Sequence, residues 1–510
     1  MNEISRKPNP FGQPVVVKPS GGPCWGLPGW DTAQIQETLA RHINLILYVA
    51  LFLCLSTTAQ SGELTITPSV TYFNSFTDNI DQDPDGLEEN AIVTEIAPNV
   101  QVRSEGARAS FGLNAAARFT HQTGGEDEGI TVRPNLTGTG NIEAIKNLLF
   151  LDLDASVSQE LLNSQNVDTD ANRETTAAYR VSPFLVARIK DYGNGELRYT
   201  FSHVVIDSSE FSDDLTHAGS LTFDSGNVLT RTRATFELSA SHTQRSNDDD
   251  ITRADVTQTL EYFLTRRFSV FGTGGYQLFD DGDSENEVDG VIWRTGFHLR
   301  GPRSELTASY GRIDDEESFA GDLNYRLGAW TTVRAGYSET LETGQERVLD
   351  NTQFIGIDPD TGILIDTRTG LPFDPNDNRT SLTDQTVRTK RFTAGLTYVR
   401  DRNQIGINGA IEEQNDETSN EDEDHSSIGV FWERRLDRDT TLLLSGTYEA
   451  SHFELEDRSD DEYSGSATIS YSILENVTAF ASYIYRRQDS TDPTDEYSEN
   501  RITTGMRITF

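Results

Sequence analysis

From Glu63 to the carboxyl terminus one pattern recurs: apolar residues at every second position, with polar residues between them. Leu64, Ile66, Val70 and Tyr72 alternate with Thr65, Thr67, Ser69 and Thr71. The same rhythm returns in Phe111, Leu113, Ala115, Ala117 and Phe119, in Leu149, Leu151, Leu153, Ala155 and Val157, and in Ala234, Phe236, Leu238 and Ala240. It closes the chain with Ile502, Thr504, Met506, Ile508 and Phe510. A period of two puts successive side chains on opposite faces of an extended strand, and no stretch here sustains a helical period. The chain is therefore restricted to sheet with one greasy face and one wet face, which suits either a soluble sandwich or a membrane barrel.

The connections separate these two. Short turns, such as Ser104-Glu105-Gly106, Tyr192-Gly193-Asn194-Gly195, Gly301-Pro302-Arg303 and Leu474-Glu475-Asn476, alternate with long acidic loops such as Ser75 to Asn90 and Gln414 to His425. Basic residues, among them Arg434, Arg435 and Arg438, gather at the short turns. A sandwich has no reason to sort its loops by length and charge, whereas a bacterial outer-membrane barrel turns tightly in the periplasm and loops widely outside. Residues 60–510 thus predict a single transmembrane antiparallel up-and-down β-barrel of about 22 strands, with Leu323 to Arg326 the weakest strand signal. Proline recurs at 68, 98, 134 and 183; lacking a ladder donor, it is expected to mark bulges or strand ends.

Composition agrees. Only 35% of residues are hydrophobic and mean hydropathy is -0.52, too polar for a set of ordinary globular cores. The 25 Phe and 17 Tyr, however, argue against a disordered acidic chain. A net charge of -40 excludes nucleic acid as a partner and makes divalent cations the natural counter-ions. Both cysteines, Cys24 and Cys54, lie ahead of the strands, so the barrel has neither a disulfide nor a thiol site.

Ile43 to Leu55 is a continuous apolar run of signal-peptide length, preceded by Arg41 and His42 and followed by Thr57-Thr58-Ala59. Residues 41–59 read as a signal peptide cleaved between Ala59 and Gln60. The alternatives are a buried hydrophobic helix and a lipoprotein anchor at Cys54, where Leu53 stands in place of the expected small residue. Residues 1–40, rich in Pro and Gly, read as an unstructured leader extension or a chain start assigned too early.

The stretches Asn147 to Asn163, Tyr179 to Val204 and Asp358 to Asn378 resemble the PEP-CTERM-system-associated outer membrane protein family, close to the β-barrel porins found beside exosortase and exopolysaccharide genes. The resemblance implies a role in envelope export or surface assembly and transfers no catalytic residue. The terminal Arg507-Ile508-Thr509-Phe510 resembles the signature read by the barrel-assembly machinery, with Phe510 as the assembly signal.

If the apolar faces meet lipid, the alternate positions line a lumen: Arg180, Arg188, Arg198, Arg231, Arg233, Arg294, Arg300, Arg334, Arg391 and Arg507, with Asp152, Asp154, Glu237, Asp255 and Glu261. Such charges either select solutes or pair to satisfy the wall. The connection 341–386 is the element expected to narrow the lumen or to form a surface loop. Within it, Asp358 and Asp360 have the spacing of the start of a calcium loop but lack its later Glu, so Ca or Mg is expected to bind only loosely. No bound cofactor is otherwise expected. A hydrolase would draw on His203, His217, His242 or His298, but no signature joins any of these to a nucleophile, so no enzyme is expected. The leading expectation is a porin-like channel tied to polysaccharide export components. The alternative is a structural barrel that binds cations, lipopolysaccharide or secreted polymer.

Overall fold

A computed structural model describes residues 63–510 except 126–128, 163–171, 191, 209–210, 227–228, 281, 283–287, 314–315, 354, 358–363, 367–381, 417–421 and 456. The expected signal peptide, with Ala59 and Gln60, and the pair Asp358 and Asp360 lie outside the described residues.

The alternating segments are strands. First come β1 (Glu63–Thr77), β2 (Ala91–Glu105), β3 (Ala109–Thr123), β4 (Gly129–Ile145), β5 (Leu149–Leu161) and β6 (Arg173–Ile189). Next are β7 (Gly193–Ile206), β8 (Asp214–Asp224), β9 (Thr232–Arg245), β10 (Ile251–Phe263), β11 (Phe268–Asp280) and β12 (Val288–Arg300). After β13 (Ser304–Ile313), β14 (Glu316–Arg326) and β15 (Thr331–Glu342), the long connection holds helix α1 (Gly344–Gln353) and a small hairpin of β16 (Ile355–Ile357) and β17 (Leu364–Asp366). The chain finishes with β18 (Val387–Arg400), β19 (Asn403–Asp416), β20 (Asp422–Arg435), β21 (Thr440–Phe453), β22 (Arg458–Leu474), β23 (Val477–Ser490) and β24 (Tyr497–Thr509).

Apart from β16 and β17, all strands join one 22-stranded sheet. Strands β1 and β24 pair antiparallel from Ser69 opposite Thr509 to Thr77 opposite Arg501, so the sheet closes on itself. Closure gives every strand of this sheet a neighbour on both sides, as a sheet in hydrocarbon requires. Leu64, Ile66, Tyr72 and Phe76 of β1, Tyr483 and Tyr485 of β23, and Ile502 and Met506 of β24 stand exposed on the outer face. Ser69, Ser75 and Thr77 of β1 point inward and are buried. A closed antiparallel wall, apolar outside and polar inside, is the construction of a bacterial outer-membrane barrel, and this protein is one.

The turns near the chain termini are tight. At that between β20 and β21 the Asp437 carboxylate accepts hydrogen bonds from the amides of Asp439 (2.9 Å) and Thr440 (2.8 Å) and from the Thr440 hydroxyl (3.0 Å). The Asp439 amide first, then the Thr440 hydroxyl, hold this carboxyl below its usual range. The opposite end carries most of the longer connections; the exceptions are the short link between Ile313 and Glu316 there and the longer one between Asp224 and Thr232 at the tight end.

The prolines depart from expectation. Pro68, Pro98, Pro134 and Pro183 sit inside strands, each opposite a normal partner on one side: Val100, Val70, Ala117 and Leu151. On the other side the ladder lapses: β1 meets β24 only from Ser69, β2 loses β3 between Ile96 and Asn99, β4 meets β5 only from Leu136, and β6 loses β7 between Val181 and Phe184. A missing N–H breaks only the ladder it would have served. The bulges occur elsewhere, between Glu143 and Ile145 and between Ser472 and Leu474, next to short turns.

Candidate functional site in the barrel lumen

Register decides which side chains meet inside. Arg103 lies opposite Gly112, then Thr139, Asp154, Arg180, Ser202 and Thr216 follow from strand to strand in one row. With Asn141, Asp152, Ser182, Arg198 and Thr200 they line a cavity of about 850 Å³ on the β2–β8 arc. Arg198 donates to Asp152 (2.7 Å) and Glu196 (2.8 Å), and its guanidinium lies 3.9 Å from the Phe184 ring centroid. Phe184 stacks on Phe150 at 5.2 Å. Asn141 donates to the other Asp152 oxygen at 2.6 Å, and Arg103 pairs with Glu105 at 2.6 Å. The wall thus offers hydroxyls, amides and internally matched charges. In a wet lumen such pairs contribute only about 0–1 kcal/mol each.

The long connection turns inward. Val348 of α1 and Leu382 bury against Ala178, Val204 and Ile206, with Leu349 packed beside them. Leu341 joins Ile251 and Phe279 in a second cluster. Wall arginines hold the backbone of this segment: Arg180 donates to the Leu349 carbonyl (3.1 Å), Arg253 to that of Leu341 (2.9 Å) and Arg245 to that of Asp384 (2.9 Å). Thr343 and Glu346 form a capping box at the start of α1: the Glu346 amide donates to the Thr343 hydroxyl and the Thr343 amide to the Glu346 carboxylate, both at 3.2 Å. Leu349 lines the cavity, so the inward segment covers one side of it.

The arginines named from sequence divide by partner. Arg180 and Arg198 meet in the cavity. Arg233 pairs with Asp224 at 3.1 Å, Arg300 with Glu305 at 3.2 Å and Arg391 with Glu412 at 3.2 Å, while Arg507 reaches the Ser69 hydroxyl at 3.4 Å. Arg294 and Arg334 share inward rows with Thr273 and Gly395. Arg188, opposite Asn194, is exposed at the short-turn rim. Arg231 instead precedes β9 and lies in a turn. Among the carboxylates, Asp255 accepts from Ser239 and Glu261 from Ser269 (2.5 Å), while Glu237 sits inward between Thr222 and Thr257. Phe510 extends the seam, its amide donating to the Pro68 carbonyl at 2.8 Å.

The histidines do not form one group: His217 and His242 stand opposite each other across β8 and β9, whereas His298 is far from them on β12. His203 contacts the Tyr179 hydroxyl (2.9 Å) and His217 that of Tyr199 (2.7 Å), both on the outer face; His242 contacts Thr252 at 3.2 Å. His298 faces inward, bonded to Thr307 at 3.0 Å and stacked on Phe271. Sequence reading passed over α1, Arg245 and Arg253. Two signals pointed to the helix: the T-x-x-E spacing at Thr343, and the run Val204-Val205-Ile206, which is apolar on both faces and so needs an inner partner.

Residues 411–510 match the family model described as Putative beta-barrel porin 2. No curated protein matches the chain. Among solved structures the chain is similar to OmpTdeltaL8, a loop L8 deletion mutant of the outer membrane protein OmpT of Vibrio cholerae, with 10% identity over 88% of this chain and 100% of that one and a TM-score of 0.32. OccAB2 of Acinetobacter baumannii has 10% identity over 88% and 98%, at a TM-score of 0.30. The siderophore receptor PirA of Pseudomonas aeruginosa has 10% identity over 87% and 80%, at 0.37.

Proposed function

We propose that this porin-like barrel is a channel for a polar, hydroxyl-bearing solute or polymer, and that it serves export of envelope polysaccharide. The observation that carries the reading is the lumenal row from Arg103 to Thr216, a continuous polar wall partly covered by the segment holding α1. Hydroxyls, an amide and paired charges present donors and acceptors without a net local field, which suits a neutral, hydroxyl-rich chain. The match to a porin family model over β19–β24 supports a channel, and the resemblance to barrels beside exopolysaccharide genes supports the cargo.

Single-channel recording in planar bilayers tests the first part. A stable ion-permeable pore whose conductance rises on deleting 341–386 is expected, and a barrel that never conducts, with or without the deletion, refutes it. Added neutral oligosaccharide should interrupt the current in a concentration-dependent way; indifference to it would remove polysaccharide as cargo while leaving the channel. A second reading, a surface barrel that gathers cations or lipopolysaccharide, draws on the acidic outer residues Asp83, Asp85, Glu88 and Glu89. It predicts cation-dependent surface binding by a closed barrel.

A further inference from the structure

We propose that Asp214, Ser212 and Gln345 form a calcium site that fastens the inward segment to the barrel wall. Ser212 and Asp214 stand two residues apart at the start of β8, and Gln345, in the first turn of α1, reaches Ser212. The Gln345 amide donates to the Ser212 carbonyl at 3.2 Å and also to Asp384, and the Ser212 amide donates to both Asp384 oxygens at 3.0 and 3.1 Å. Asp214 is 3% exposed, and Ser212 and Gln345 are 0% exposed. Yet both carboxylate oxygens of Asp214, the Gln345 side-chain carbonyl oxygen and the Ser212 hydroxyl oxygen have no hydrogen-bond partner among the described residues. Buried polar atoms left this way are rare, because each costs the desolvation it never recovers.

What these atoms share is chemistry. All are oxygens able to accept, and the charged groups acting on Asp214 are, in order, Glu346, Arg245, Asp384 and Asp213, mostly carboxylates. The exception, Arg245, also donates to the carbonyls of Asp384 and Asp249 and pairs with the Asp248 carboxylate. Carboxylate, amide carbonyl and hydroxyl oxygens are ligands for a hard cation. Calcium takes about 6–8 of them in flexible geometry, whereas magnesium keeps its waters and needs a near-ideal octahedron, so a dry, irregular set favours calcium. The donor set is a mixed one, a single carboxylate with neutral amide and hydroxyl oxygens. The partial positive charge at the start of α1 opposes a cation, and Glu346 in that first turn offsets it. The site stands whether or not the barrel conducts.

The test is isothermal titration of calcium chloride into the folded, chelator-stripped barrel in detergent. One saturable site is expected above the loose binding of the outer loops. Asp214→Asn should weaken it by about 10- to 100-fold or more, whereas Asp85→Asn, an exposed loop control, should leave it unchanged. Heat-modifiable migration shows whether Asp214→Asn has folded. If it has not, Ser212→Ala and Gln345→Met replace it, each expected to weaken the same site. Absence of a saturable site in the native barrel, or native affinity in folded Asp214→Asn or in both replacement variants, overturns the proposal.

Discussion

Replacing Val348 with Asp tests the inward placement of α1 directly. Val348 is buried against Ala178, Val204, Ile206 and Leu382. Burying a valine stabilises the contact by about 1.5–3 kcal/mol, and an aspartate there has no partner for its charge, so docking weakens by at least about 2 kcal/mol. Since about 1.4 kcal/mol is a factor of ten, the undocked population should rise about 30-fold. The strands contain no cysteine, so Ala178→Cys, in a chain starting at Gln60, places a single reporter thiol beneath the helix, at a position 2% exposed. The assay is the rate of labelling by a membrane-impermeant maleimide in the folded barrel, with and without Val348→Asp. Slow labelling of the single variant and an increase of about 30-fold in the double variant are expected. Fast labelling in both, or equal slow labelling, would show that α1 does not cover this wall.

Arg198→Ala leaves Asp152 and Glu196 without their shared cation, so reversal potentials under a salt gradient should move toward cation selectivity; no movement would detach this pair from the conducting path. Gly193→Ala should destabilise the β7–β8 hairpin by about 1–3 kcal/mol, because Gly193 has φ +148° and an added Cβ would collide with the Asp224 carbonyl oxygen; an unchanged urea midpoint would contradict this. Because the Asp437 carboxyl is held low in the folded state, its contribution is present above the ordinary carboxylate range and lost as pH falls through its own lower value. Amide exchange at Asp439 and Thr440 should therefore stay slow from neutral pH down through that ordinary range and speed up only below it; loss of protection near neutral pH would exclude the carboxylate as the acceptor.

The wall was legible because its strands follow one binary rule, broken at places such as Val204-Val205-Ile206, which names their two faces without reference to their neighbours. Even Leu323 to Arg326, the weakest signal, lies in β14. What escaped were the places where two distant parts meet. Arg180 was read as a lumenal charge, but that it holds the Leu349 carbonyl depends on how the long connection folds back, which periodicity does not encode. Nothing in the local alternation marks Asp214 as a residue that is buried in the fold. The prolines were placed by a sound rule applied to both ladders of a strand, when a residue bonds to only one neighbour at a time.

The pairing of Ser69 with Thr509 joins the first strand of the sheet to the last. A nascent polypeptide therefore carries two unsatisfied margins until its last strand is delivered, and the membrane must be kept from both of them throughout. Once shut, the join is like any other, so the position at which the polypeptide starts is arbitrary. A permuted chain, spliced from Phe510 to Glu63 through a short linker and cut open between Arg266 and Arg267, should regenerate the same cylinder.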